Sequence, residues 1–271
     1  MNAGKVSVAL AGCGRYSRIY AYDSLDSTND ALRRLAADGA ADGTVVLADE
    51  QTAGRGRWGR SWHSPPGRGL HLSVLFRPAS PPRDAVRWTL AAAVAACEAC
   101  RELTGCPVEI KWPNDLLIQG RKVAGILAEL RSGRASSELV VGIGINVDHR
   151  PEDFPRELAG RATSLRMASG RPDLDREILA VELLRRLASA VDRLSRGEWA
   201  PIARRWEELA PAAYDRRVRV ARGPAVAPCE GQTAGLDASG ALRVRRDDGT
   251  IVCVREADAL LPVEHPDATS G

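Results

Sequence analysis

Residues 51–69 carry almost no apolar periodicity, yet they lie between two strand-like runs. One is a continuous apolar run at Thr44–Ala48; the other alternates at Leu70, Leu72, Val74 and Phe76. A segment of this length between two strands reads as a functional loop. Its first part is Gln51-Thr52-Ala53-Gly54-Arg55-Gly56-Arg57-Trp58-Gly59-Arg60-Ser61-Trp62. The interleaved glycines make a backbone free to turn, and three guanidinium groups ride on it. Such a loop can close over an anion, aiming N–H groups and arginine forks at phosphate or carboxylate. The tryptophans can stack on a planar base or roof an apolar ligand. An arginine–glycine nucleic-acid tether competes with this reading, but such tethers are usually longer, repetitive and terminal.

The flanking chain reads as alternating helices and strands. Asp26–Asp30 opens a short helix with Ser27 or Thr28 as N-cap, Asp30 as a capping-box acid and Gly39 as its end. Asp84–Leu103 and Asp175–Arg196 read as helices, and Trp199–Leu209 as a further one. Val108–Trp112, Leu116–Ile118, Val123–Leu130 and Leu139–Val147 read as strands, the last broken by Gly142 and Gly144. Glycines there suggest a ligand or backbone in close approach. From Arg217 the pattern changes to short alternating strands at Val218/Val220, Leu242/Val244 and Val252/Val254. Turn signals lie at Gly231, Asp237–Gly240 and Asp247–Gly249, which together read as a small all-β barrel. Residues His265–Gly271 read as a disordered tail.

Arginine outnumbers lysine 35 to 3, a skew that most simply reflects a GC-rich genome. Two of the three lysines, Lys111 and Lys122, stand eleven residues apart. A compact ammonium fits where a planar fork does not, so these positions read as needing an amine. Lys111-Trp112-Pro113-Asn114-Asp115 puts polar groups at a turn, and the hairpin through Gln119–Arg121 brings Lys122 back to the same end of the sheet. Gly142-Ile143-Gly144-Ile145-Asn146 ends a buried strand on an amide that can reach a ligand.

Two motifs are set aside. Ala11-Gly12-Cys13-Gly14 follows a strand-like apolar run, but the third glycine of a dinucleotide fingerprint would fall at Ser17. Cys97-Glu98-Ala99-Cys100 lies in an Ala-rich helix and reads as two small buried apolar residues. Six cysteines in a chain of 271 residues are no disulfide scaffold. The longest apolar run, Leu90–Cys97, is too short to span a bilayer. Val6–Gly14 is a poor signal-peptide core, so a cytoplasmic location is expected. A net charge of +3 without a basic tail argues against a dedicated nucleic-acid binder.

Taken in order, Ser27-Thr28-Asn29, the Gly54–Trp62 loop, Lys111–Asp115 with Lys122–Gly125, and Gly142–Asn146 resemble the successive motifs of bacterial biotin protein ligases. The resemblance implies an α+β catalytic domain, a mixed β-sheet with helices on one side as in class II synthetase cores, plus a small C-terminal SH3-like β-barrel. The expected divisions are an extension at 1–14, a catalytic domain at 15–212, the SH3-like domain at 213–264 and a tail at 265–271. The implied reaction forms biotinyl-5′-AMP from biotin and ATP with Mg²⁺. It then transfers biotin to a lysine of the carrier protein or domain of acetyl-CoA carboxylase or a related carboxylase.

The resemblance also implies roles. Ser27, Thr28, Asn29 and Gln51 would bind the biotin head group, with Gly125 beside them. Arg55, Gly56, Arg57 and Lys122 would surround its carboxylate and the α-phosphate. Arg60, Trp62, Lys111, Asn114 and Asn146 would serve the ATP or adenylate. Lys122, Arg57, Lys111 and Asp115 would be catalytic, Asp115 through the acceptor lysine or the metal, with no fixed protein metal site otherwise. Only 26 residues precede Ser27, so no DNA-binding domain is expected, and no membrane partner; the state is monomer or homodimer. A lipoate or octanoyl transferase, and a non-enzymatic nucleotide or RNA binder, are the alternatives.

Overall fold

The computed structural model describes residues 1–78, 85–132, 137–221, 228–255 and 259–262. A seven-stranded mixed sheet organises the larger part. Its strands are β1 (Arg18–Leu25), β2 (Thr44–Gln51), β3 (Gly69–Phe76), β4 (Glu109–Lys111), β5 (Asp115–Ile118), β6 (Arg121–Ser132) and β7 (Ser137–Asn146). They run in the order β1-β2-β3-β7-β6-β5-β4, and only β1 and β2 pair in parallel. The helices are α1 (Ala3–Ala9), α2 (Thr28–Ala37), α3 (Val86–Thr104), α4 (Leu165–Ser169), α5 (Arg176–Ser195) and α6 (Trp199–Leu209).

Alternation along the central strands sorts the core into two faces. Val45, Leu47, Leu72, Val74, Val141 and Ile143 pack with α3 and α5 in one buried cluster. Val46, Leu75 and Val140 point the other way and pack with Leu32 and Ala36 of α2. The expectation of helices on one side is therefore corrected: α2 covers part of the second face. Next to it that face carries Gly142 and Gly144 in place of large side chains, and there the site forms.

The structure corrects other local expectations. β1 was not foreseen, because its exposed edge lacks clean alternation. The first residues form a helix, not a strand; Val6 and Leu10 join the α3–α5 core. Ser27 caps α2 as expected, but Asp30 closes no capping box, since the Ser27 N–H is taken by Asp26 at 2.7 Å. Cys97 and Cys100 are buried in α3, and burial pushes both thiols up, Cys97 to about 12. The expected helix start at Asp84 and the tail from His265 lie outside the described residues.

The remaining strands, β8 (Tyr214–Ala221), β9 (Cys229–Leu236), β10 (Leu242–Arg245), β11 (Ile251–Val254) and β12 (Ala259–Pro262), form a five-stranded antiparallel sheet in the order β11-β10-β9-β8-β12. Gly231 is not a turn. It lies within β9, where a Cβ would stand 2.3 Å from the Arg245 carbonyl oxygen. Val220, Leu242 and Val244 share the α3–α5 core cluster, and Glu207 of α6 accepts from the Leu236 N–H at 2.9 Å. The small sheet is thus packed onto the larger part.

Candidate active site

A cleft of about 930 Å³ opens on the glycine-bearing face of the large sheet. Its floor is Gly125 of β6 with Gly142 and Gly144 of β7. The close approach expected at the glycines comes from the protein's own side chains. A Cβ on Gly142 would lie 2.1 Å from Asn29 Oδ1, and one on Gly144 would lie 2.8 Å from the Trp62 ring. Every side chain named from the sequence lines this one cleft, from Ser27 through Asn146.

One end is a neutral hydrogen-bonding wall built by the start of α2. Thr28 donates its N–H to Gln51 Oε1 at 2.8 Å. Asn29 is held on both sides of its amide. Its Oδ1 accepts from Ser73 at 2.6 Å, and its Nδ2 donates to Glu129 at 2.6 Å. Ser73 and Glu129 escaped the sequence reading. Both are polar residues in largely apolar strand runs, in phase with Gly142 and Gly125, and that phase was the available signal.

The roof is the arginine loop, which is folded rather than open. Gly56 N–H donates to the Arg60 carbonyl at 2.7 Å and Trp62 N–H to that of Gly54 at 2.8 Å, around a short 3₁₀ turn at Arg57–Gly59. Trp58 sits on that turn at φ 59°, exposed, with Arg57 over its ring. Arg55 turns to Asp30, Nη2 to Oδ1 at 2.6 Å. The indole N–H of Trp62 is buried against Gly144 without a partner among the described residues.

At the other end Lys122 meets Asp115, Nζ to Oδ1 at 2.5 Å, and stands 5.6 Å above the Trp62 ring. A bulge brings it there. Leu116 pairs with Ala124 but Leu117 with Lys122, so Val123 is the extra residue and turns into the core. Lys122 is thereby placed on the same face as Gly125, where a Cβ would lie 3.3 Å from Lys122 Nζ. Lys111 and Asn114 line the same end, Asn114 tied to the Ile126 carbonyl at 2.9 Å. A wall that the sequence did not suggest, Phe154, Leu158 and Gly160 to Ala162, completes it. Lys122 N–H donates to the Arg161 carbonyl at 2.8 Å, and Asn146 Nδ2 to that of Thr163 at 3.0 Å.

The cleft thus joins a neutral polar pocket at one end to Lys111 and Lys122 at the other, under the arginine loop. Comparison with known proteins agrees. Residues 21–146 match the Biotin/lipoate A/B protein ligase family. A bifunctional ligase/repressor of Bacillus subtilis is 39% identical over 84% of this chain and 69% of its own length. The chain belongs to this family. A biotin–[acetyl-CoA-carboxylase] ligase of Paracoccus denitrificans is 38% identical over 83% of this chain and 92% of its own. Among solved structures, the biotin protein ligase from Aquifex aeolicus in complex with biotin and ATP superposes with a TM-score of 0.80. It is 29% identical, covering 92% of this chain and all of that one.

Proposed function

We propose that this chain is a biotin–protein ligase that activates biotin with ATP and passes it to a lysine on the carrier domain of acetyl-CoA carboxylase or a related carboxylase. The observation that carries the reading is Lys122, held by Asp115 in the one cleft that the neutral wall and the arginine loop also line. The wall of Ser27, Thr28, Asn29 and Gln51 suits a neutral head group with donors and acceptors on both edges. The cleft then leads its carboxylate toward Lys122 and the loop.

In the first step a carboxylate oxygen attacks the α-phosphorus and the bond to the β-phosphate breaks, giving biotinyl-5′-AMP and pyrophosphate. Such a displacement needs charge neutralised and ends aligned more than it needs covalent help. Lys122 can face both oxyanions, Arg57, Arg60 and Lys111 the phosphates, and Trp62 and Asn146 the adenylate. In the second step the acceptor amine attacks the acyl carbon and AMP leaves. In this reading Asp115 exchanges Lys122 for that amine and takes up the proton it sheds.

Asp115 is committed to Lys122, and among the described residues no three His, Cys, Asp or Glu side chains group as a metal cage. The residues do not fit a protein-held Mg²⁺; an ion travelling with the triphosphate suits the site better. Among the described residues the cleft's lining ends at Ala162. That supports a small C-terminal domain, read here as SH3-like and spanning 213–264, that assists ATP or carrier engagement without touching biotin. No helix among the described residues is long and apolar enough to cross a membrane, and a cytoplasmic location fits the proposed partner.

Biotin-dependent exchange of labelled pyrophosphate into ATP tests the reading. Exchange that required lipoate or octanoate instead, or no exchange at all, would replace it with one of the two alternatives.

A further inference from the structure

We infer that Asp30 anchors the arginine loop over the cleft and, with Arg33 and Glu129, couples the loop to the amide of Asn29. The inference rests on the ligase reading above and adds to it three positioning residues that touch no reacting atom.

Asp30 follows Asn29 directly in the first turn of α2. Its carboxylate is not spent on capping, because Asp26 has already taken the Ser27 N–H. Instead Oδ1 receives Arg55 Nη2 from the loop at 2.6 Å and Arg33 Nη2 from the next turn of the helix. Arg33 then extends Nη1 to Glu129 Oε1 at 3.0 Å, and Glu129 Oε2 receives Asn29 Nδ2 at 2.6 Å. Asn29, Glu129, Arg33 and Asp30 close a ring through the backbone of α2, and Arg55 hangs from it. Two carboxylates face two guanidiniums, so the group is neutral and removing any member strands a charge. All four charged side chains are between 27% and 41% exposed, so solvent screens them only in part.

The backbone hydrogen bonds within Gly54–Trp62 tie the loop to itself, and Arg55 pairs with Ser61 inside it. At the far end of the loop Trp62 packs over Gly144, and at its near end the Arg55–Asp30 pair holds the small hairpin, and with it Gly56 and Arg57, against α2. Asn29, in the wall above Gly142, is fixed by the same ring. A ligand that orders Asn29 favours the arrangement that holds Arg55, and a closed loop favours the ordered Asn29. Coupling of this kind is reciprocal. Arg33 suits the middle position because its fork sends two separate nitrogens, Nη2 and Nη1, to the two carboxylates, a span that a single ammonium nitrogen does not offer.

The test uses the full chain and Asp30→Asn, which keeps shape and removes charge. In biotin-dependent pyrophosphate exchange the KM for biotin should rise about tenfold, while kcat at saturating biotin stays within about twofold. Tryptic cleavage at Arg55 and Arg57 without substrates should quicken at least about fivefold, following the population of the open loop. Asp30→Glu, which keeps a carboxylate, should bring both readouts back toward wild type. If Asp30→Asn does not fold, Arg33→Gln breaks the ring from its middle and should move both readouts in the same direction. Variants indistinguishable from wild type would overturn the inference. So would a fall in kcat and melting temperature with KM unmoved, the mark of a merely structural role. Wild-type protein lacking exchange would sink the ligase reading instead, leaving the cleavage comparison to decide on the anchor.

Discussion

Lys122→Arg keeps the formal charge and should still nearly abolish biotinyl-adenylate formation. Lys122 Nζ is 2.5 Å from Asp115 and 5.6 Å from the centre of the Trp62 ring, and Gly125 lies beneath with no room for a methyl group without contact. The niche is closed on three sides around a compact ammonium. A guanidinium is one atom longer and ends in a planar fork, so it must displace Trp62 or swing out to solvent. The second is the cheaper course, since the Lys122 side chain is already 36% exposed. Asp115 then loses its partner, but at 28% exposure that pair is worth at most about 1 kcal/mol to stability. The reaction loses more: a contact to charge that builds in the transition state is worth about 3–4 kcal/mol, or two to three powers of ten in rate. Pyrophosphate exchange should fall by that factor while the thermal midpoint moves by only a few degrees. Lys5→Arg is the control, because Lys5 is exposed and pairs loosely with Glu177 at 3.6 Å. Exchange by Lys122→Arg within about fivefold of wild type would refute both the reasoning from lysine scarcity and the placing of this residue at the reacting centre.

Gly142→Ala would drive a methyl group into Asn29 and break its hydrogen bonds. It should cost about 2–3 kcal/mol in urea denaturation and weaken biotin binding at least tenfold by calorimetry. Gly231→Ala meets backbone in the small sheet, so it should lose comparable stability yet bind biotin at wild-type affinity in the same two assays. Acid should weaken the fold early: burial pushes the His71 imidazole down to about 4, so the unfolded chain takes up the proton first. The stability owed to neutral His71 is whole above about pH 6.5 and is lost toward pH 4, up to about 3 kcal/mol, and His71→Leu should flatten that part of the denaturation midpoint against pH.

Much of the site was legible because its chemistry is local in the chain. Alternating glycine and arginine announce a turning cationic loop wherever they occur. A lysine retained in an arginine-dominated chain marks a place where shape matters as well as charge. The strands were legible for a similar reason: β2 carries a continuous apolar run and β3 an apolar alternation, and both are buried along most of their length. β1 failed the same test. It is an edge strand paired on one side only, none of its residues is fully buried, and its order comes from β2 rather than from its own pattern.

The less legible part is phase. Whether a strand residue faces the core or the cleft depends on its count along the strand, and one bulge resets that count. An unbroken β6 through Val123 would put Val123 over the cleft and Lys122 in the apolar core, where an ammonium without a partner is very costly. The bulge at Val123 exchanges them. Nothing in the run Arg121-Lys122-Val123-Ala124-Gly125 signals the bulge, but the energetics of the two registers do: only one buries the valine and leaves the lysine its carboxylate. The same reasoning reaches Glu129, four residues beyond Gly125 and so on its face. A carboxylate within an apolar strand needs a partner, and Asn29 and Arg33 on the helix above provide two. A polar residue in phase with the glycines of a pocket floor is therefore the trace that the site leaves in the sequence, even where no motif covers it.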